Sequence, residues 1–267
     1  MFVDTHAHLY LKQFDEDRDE MMARALAQGI EKVYLPNIDS STIDRMLALE
    51  KDYPGRCFPM MGLHPCSVKE NYKEELAIVE QWLMDRPFCA VGEIGVDLYW
   101  DKTFREQQEE AFRIQINWAK DCQVPIVIHC RESMDICINI VREEKDENLQ
   151  GIFHCFGGSL EQARAIMDLE FYMGIGGVAT YKNSGMDVVL KEVPLSALVL
   201  ETDAPYLSPV PFRGKRNESA YIHQIAVKLA SIQSKALEEV ELQTTKNAAS
   251  IFGWKSEDGR PKTEVSL

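Results

Sequence analysis

The sequence of 267 residues has no apolar run of about 18 residues or more, so no segment reads as a membrane-spanning helix. Its first residues, Met1-Phe2-Val3-Asp4-Thr5-His6, lack the basic and apolar regions of a signal peptide, and a cytoplasmic location is expected. CxxC pairs are missing as well. The seven cysteines are odd in number and several sit inside apolar runs, which argues against a disulfide framework or a structural zinc site and for small buried residues. A basic surplus is also absent: 29 Lys and Arg stand against 43 Asp and Glu, a net charge of −14. Such a chain does not wrap long duplex nucleic acid through a broad basic face, although a local pocket for one or two phosphates remains open to it. Linkers, low-complexity tracts and fixed-period repeats are missing too, so all 267 residues read as a single domain.

What the chain does have is a rhythm. Short apolar, β-rich runs fall at 1–9, 32–37, 57–64, 89–97, 125–130, 151–156, 171–177 and 198–203. Charged segments with helical patterning separate them, at about 16–28, 41–52, 70–85, 104–121, 133–145, 160–169 and 184–192, and two more follow near 217–232 and 237–252. Between 104 and 121, Phe104, Ala111, Ile114, Ile116, Trp118 and Ala119 recur at helical spacing among charged residues. Alternating strands and helices build parallel sheets, and eight such units most simply close into a (β/α)8 TIM barrel. The rival is an open doubly wound sheet. Its glycine-rich loop is absent after the first strand, where His6-Ala7-His8 stands instead.

Barrel enzymes place their chemistry at the C-terminal ends of strands. Of the six histidines, five (His6, His8, His64, His129 and His154) fall at such ends, and only His223 lies in a helical segment. His6 and His8 are two apart on an extended segment and so share a face, as does Asp4, placed to orient a ligand from behind. Glu93 follows the apolar run Cys89-Ala90-Val91-Gly92, and a carboxylate buried there needs a cation or strong hydrogen bonds. Its position between the two sides of the barrel suits a bridge between two metals. His129 and His154 end adjacent strands and would form a second half-site. Asp203, beside His6 and His8 around a closed barrel, can ligate a metal or take a proton from attacking water. Asp97 is open between cap, ligand orientation and substrate contact. Glu201 reads as a supporting carboxylate, with ligand and structural roles open to it, and His64 as a contact to substrate or leaving group, with a local structural hydrogen bond as the alternative.

Nitrogen and oxygen donors suit two divalent ions of the Mg2+, Mn2+ or Zn2+ type, with the histidines favouring a transition metal. Arg131 lies two residues beyond His129, and the loop at 211–217 (PFRGKRN) supplies Arg213 and Arg216. Cations concentrated beside a metal site in so acidic a chain point to an anionic substrate.

The motifs FVDTHAH, GLHP, VGEIGVD, PIVIHCRES, FHCFGG and LVLETDAPYLSPVPFRGKRNE, in that order, resemble the TatD-type DNase family of the metal-dependent hydrolases across essentially the whole chain. The resemblance implies a β/α barrel holding two divalent cations. Its ligands would be His6, His8, Glu93, His129, His154 and Asp203, with Glu93 bridging. It further implies a 3′→5′ exonuclease on DNA or RNA ends, preferring single strands. Catalytic roles are expected for Glu93, Asp203 and His64, and phosphate contacts for Arg131, Arg213 and Arg216. Tyr10, Ser133 and Ser219 depart from residues common in the family and bear on substrate preference. The alternative is an acyl hydrolase of the same superfamily: a D-aminoacyl-tRNA deacylase, an amidohydrolase or a lactonase. Many barrels of the acyl-hydrolase kind use a modified lysine late on strand four, where this chain has Glu93. A binding module on an inactivated barrel would lack ligands, and none is missing.

Overall fold

The computed structural model of the protein describes residues 1–253; residues 254–267, which the single-domain reading included, lie outside the described residues. Strands and helices alternate as β1 (Phe2–Asp4), α1 (Arg18–Ala27), β2 (Ile30–Pro36), α2 (Ile43–Asp52), β3 (Cys57–Met60), α3 (Tyr72–Asp85), β4 (Val91–Asp97), α4 (Arg105–Cys122), β5 (Ile126–Arg131), α5 (Met134–Glu144), β6 (Gly151–Phe153), α6 (Leu160–Asp168), β7 (Tyr172–Ile175), α7 (Met186–Glu192), β8 (Leu198–Leu200), α8 (Ile222–Gln233) and α9 (Leu237–Ile251). Every pairing is parallel, in the orders β1-β2-β3 and β4-β5-β6-β7-β8.

Two narrow seams join these sheets into a ring, giving the (β/α)8 barrel. Met61 bridges to Val91 between β3 and β4, with Gly92 N donating to Met61 O at 3.0 Å. Ala7 bridges to Ala204 between β1 and β8, where Thr5 N donates to Leu200 O at 3.0 Å and Asp203 N to His6 O at 2.9 Å. The Asp4 carboxylate locks the second seam. It accepts from Thr202 N at 2.9 Å, Thr202 Oγ1 at 2.6 Å and Ser219 Oγ at 2.6 Å. Asp4 therefore ties strand ends together and meets His6 only at the backbone nitrogen, 3.4 Å away, so the imidazole is not what it orients.

The sequence runs overstate the strands. β1 stops at Asp4, β6 at Phe153 and β8 at Leu200, each before the chemistry-bearing residues that the longer runs included. The chain there leaves regular pairing to aim its side chains: Cys155 and Asp203 adopt positive φ of 48° and 56°.

Strand parity sorts the core. Val3, Tyr34, Met60, Ala90, Val127, Ile152 and Val199 form one buried cluster, while their strand neighbours Phe2, Val33, Leu35, Ile126, Ile128, Phe153, Leu198 and Leu200 belong to another packed under the helices. The inner cluster also contains Ala248, Ile251 and Phe252, from α9 and its end. Phe252 stacks on Tyr34 with ring centroids 3.6 Å apart, and Asn247 Nδ2 donates to the Leu195 and Leu198 carbonyls. α9 thus closes one end of the barrel and leaves the other, the C-terminal ends of the strands, to solvent.

The cysteines are all free, but only Cys57, Cys89 and Cys137 are buried; Cys122 is exposed and the rest are half-buried, so the reading as buried small residues holds for part of the set. No helix among the described residues is long and apolar enough to cross a membrane.

Phe252→Ala is expected to destabilise the fold by about 3–5 kcal/mol, the usual cost of emptying a buried phenylalanine site. Urea unfolding measures this. An unchanged midpoint would mean that the α9 plug is not part of the core.

Candidate metal centre

Glu93 sits at the open end of the barrel with 1% of its surface exposed, and five imidazoles surround its carboxylate. His6 Nε2 and His8 Nε2 approach Oε2 at 3.1 and 3.4 Å. His129 Nδ1, His154 Nε2 and His64 Nε2 approach Oε1 at 2.8, 3.3 and 3.5 Å. Asp203 Oδ1 lies 3.8 Å from His6 Nε2 and 3.7 Å from His8 Nε2, on the Oε2 side. Each oxygen of one carboxylate therefore faces its own group of donors. The six ligand residues expected from the sequence converge here, with His64 beside them.

The local backbone makes this possible. β4 breaks register against β5 between Gly92 and Ile94, which turns Glu93 inward. Gly95 has φ of +137°, and a Cβ on it would meet His129 O at 2.1 Å, so β4 and β5 could not approach with any other residue there.

Supporting bonds fix which nitrogen faces the centre in four of the five rings. The buried Tyr10 hydroxyl donates to Pro36 O at 2.5 Å, so its oxygen accepts from His8 Nδ1 at 2.9 Å and leaves the His8 Nε2 lone pair inward. Glu201 Oε1 accepts from His154 Nδ1 at 3.0 Å, to the same effect. Asp97 Oδ2 accepts from His129 Nε2 at 2.8 Å, which turns Nδ1 of that ring inward instead. His64 differs: Cys66 N donates to its Nδ1 at 3.0 Å, so the inward Nε2 carries the proton. The outer bonds thus single out the inward nitrogens of His8, His129 and His154 as the ones that would ligate a cation, in exchange for the protons that His129 and His154 share with Glu93, while His64 keeps a donor facing the centre.

Electrostatics follow from the crowding. Burial pushes the Glu93 carboxyl up, but the charges of His6, His154 and His64 and the hydrogen bond from His129 overcome it and hold it well below the usual carboxylate range. Burial and the neighbouring His154 hold His6 well below an ordinary imidazole, against the pull of Glu93. Burial lifts the Asp203 carboxyl to about 6, opposed by His154 and His8. For His154 burial lowers, but Glu201 and Glu93 prevail and raise it to about 10.

The donor set fits divalent cations. Three overlapping groups (His6–His8–Asp203, His6–Glu93–His154 and His64–Glu93–His129) each have ligand atoms within 4.8 Å of one another. Two buried polar atoms, His6 Nδ1 and Glu201 Oε2, have no hydrogen-bond partner. Nitrogen and carboxylate donors packed this closely in an apolar barrel suit an ion of Zn2+ or Mn2+ character.

A cavity of 590 Å³ opens over the centre, lined by His8, His64, Glu93, His129, His154 and Asp203 together with Asp97, Trp100, Arg131, Tyr206 and Leu207. Of the expected phosphate contacts, the structure brings only Arg131 to it. Arg213 lies over the Tyr181 ring at 4.1 Å, outside the lining. Arg216 is committed elsewhere: its guanidinium makes paired bonds of 2.6 and 2.8 Å to Asp17, donates to Gln13 O and covers the Phe14 ring. A cation paired so fully with a carboxylate has little left for a phosphate. His223, in α8, packs edge-on against Phe2.

Three further residues tie into the strand ends. Tyr10, Ser133 and Ser219, expected to bear on substrate preference, instead support strand ends: Tyr10 holds His8, Ser133 accepts from Arg131 N at 3.1 Å, and Ser219 holds Asp4. Asn217, at the end of the 211–217 loop, has a role that the sequence does not show. Buried, it donates to the Thr202 and Tyr206 carbonyls at 2.7 and 2.6 Å and pins the loop that carries Asp203.

A barrel presenting a histidine–carboxylate cluster at the C-terminal ends of its strands defines a metal-dependent hydrolase. The model of the TatD related DNase family matches residues 3–253, and the chain belongs to that family. It is 39% identical over 253 residues to the metal-dependent hydrolase YabD of Bacillus subtilis, covering 94% of this chain and 99% of that one. It is 32% identical over 257 residues to a Salmonella typhimurium protein named as the 3′-5′ ssDNA/RNA exonuclease TatD, covering 93% and 98%. The solved structure of YjjV, a TatD homologue from Escherichia coli, superposes with a TM-score of 0.89 at 29% identity, covering 94% of this chain and 98% of that one.

Tyr10→Phe removes the acceptor that fixes the His8 ring while keeping the buried bulk. It is expected to weaken Mn2+ binding by roughly ten- to a hundredfold, the typical cost of losing such a support. Calorimetric titration of metal-free protein measures it, and unchanged affinity would mean that His8 does not ligate through Nε2.

Proposed function

We propose that this protein is a two-metal phosphodiesterase that removes nucleotides from the 3′ ends of single-stranded DNA or RNA. One observation carries the reading: the Glu93 carboxylate offers one oxygen to each of two donor groups, as a carboxylate bridging two cations must. On this reading His6, His8 and Asp203 would hold one ion and His129 and His154 the other, with Glu93 shared. Divalent ions so held lower the pKa of water and neutralise charge on a phosphoryl group.

The chain's own residues supply the rest. Asp203 lines the cavity and takes the proton of the attacking water. His64, with its Nε2–H aimed into the cavity, donates a hydrogen bond to the leaving 3′ oxygen and stabilises the charge that develops there, the oxygen taking its proton from solvent. Arg131, the one cation lining the cavity among the described residues, binds a phosphate oxygen, and Arg213 and Arg216 take no part. The Salmonella typhimurium relative, named as a 3′-5′ ssDNA/RNA exonuclease, supports the choice of substrate.

A 3′-labelled single-stranded oligonucleotide incubated with Mg2+, Mn2+ or EDTA tests the proposal. Label release that EDTA and His129→Ala both abolish is expected. No release in any metal, from folded and metal-loaded protein, would refute the phosphodiesterase reading.

His64→Ala should lower kcat on the oligonucleotide by about 10²–10³-fold. With bis(p-nitrophenyl) phosphate, whose leaving group needs little stabilisation, the loss should largely vanish. An equal loss on both substrates would contradict the role at the leaving oxygen. Arg131→Ala should raise KM, whereas Arg216→Ala should lower the melting temperature and leave KM unchanged.

A further inference from the structure

Three large aromatic side chains stand exposed around the open end of the barrel: Tyr99 at 49%, Trp100 at 69% and Tyr206 at 46%. Neither the metal centre nor the proton transfers use them, and exposing so much apolar surface beside a site is costly without a ligand to cover it. Trp100 and Tyr206 both line the cavity. Trp100 follows β4 and Tyr206 follows β8, strands four apart in a ring of eight, so the two rings rise from opposite sides of the mouth.

Each is held by the metal centre's own framework. Asp97, the carboxylate that orients His129, also accepts from Tyr99 N at 2.9 Å and Trp100 N at 3.1 Å through its other oxygen. Tyr206 N donates to Asp203 O at 2.8 Å, and Asn217 grips its carbonyl. The Arg131 guanidinium lies 3.8 Å over the Tyr99 ring and 5.2 Å from that of Trp100, which stiffens this side of the mouth.

Resting on the phosphodiesterase reading, we propose that Trp100 and Tyr206 form a stacking clamp for an unpaired nucleobase, which makes the site selective for single strands. Charge and chemistry favour this occupant. A protein of net charge −14 with one cation in its cavity lining gains little from contacts to the phosphate backbone, so grip must come from the bases. Every base has a π-face, so aromatic stacking binds without reading sequence. A paired base inside a duplex is covered on both faces and one at its end on a single face, so neither can enter between two rings.

The test compares kcat/KM of the native protein, Trp100→Ala, Trp100→Phe and Tyr206→Ala in Mn2+. The substrates are a single-stranded oligothymidylate and the same oligomer with abasic tetrahydrofuran residues at its three 3′-terminal positions. Both alanine variants should lose about tenfold or more on oligothymidylate, as removal of a stacking ring does. The penalty should fall toward one on the abasic oligomer, and Trp100→Phe should recover most of the rate. Quenching of tryptophan fluorescence by oligothymidylate should be largely lost in Trp100→Phe, a reading independent of turnover. Equal penalties on both oligomers, or none on either, would overturn the clamp while native cleavage leaves the phosphodiesterase reading intact. Failure of the native protein to cleave either oligomer would overturn both.

Discussion

A carboxylate with 1% of its surface exposed, set in the mouth of an apolar barrel, is the constraint on which the remaining structure depends. Burying an ion without compensation costs far more than the net stability of a domain, so Glu93 is tenable only because positive charge and donors are brought to it. Five imidazoles do so, from the ends of β1, β3, β5 and β6, and they leave each Glu93 oxygen a separate set of partners. Such crowding of imidazoles is itself unfavourable, which is why the arrangement suits cations better than protons. The supporting residues follow from the same need. Tyr10, Asp97 and Glu201 each occupy the outer nitrogen of one ring and so decide what its inner nitrogen can do.

Holding side chains from distant strands in one place requires that the ring of strands close. It does so through two short seams rather than long ladders, and the Asp4–Thr202–Ser219 knot reinforces the one that carries His6, His8 and Asp203. The packing below is apolar and plugged by α9, so stability and chemistry occupy opposite ends. The loops beyond β4 and β8 combine both demands, since the same Asp97 and Asn217 that steady the centre also present the rings at its rim.

Alternation of apolar runs with helical segments made the barrel readable, and histidines at strand ends made the centre readable, because both are local patterns. The six ligand-type residues carried their signal in position: His6-Ala7-His8 and Glu93 stand where a barrel opens. Strand lengths were overread because apolar composition continues past the last ladder bond into the bends at Cys155 and Asp203. The Arg216–Asp17 pair is hidden from the sequence for another reason. A cation in a glycine-containing loop looks the same whether it meets a phosphate or Asp17, and Asp17 lies 199 residues away in sequence. Tyr10, Ser133 and Ser219 carried no local signal of their support roles, since each also needs a distant partner (Pro36 O, Val96 O and the Asp4 carboxylate) that only the closed barrel brings to it.

The account turns on Glu93 joining two cation sites, and anomalous diffraction from crystals equilibrated with Mn2+ tests that most directly. Two peaks about 3.5–4 Å apart are predicted, one beside each Glu93 oxygen, the first also touching His6, His8 and Asp203 and the second His129 and His154. A single peak bound by only one Glu93 oxygen, or no peak within reach of that carboxylate, would contradict it.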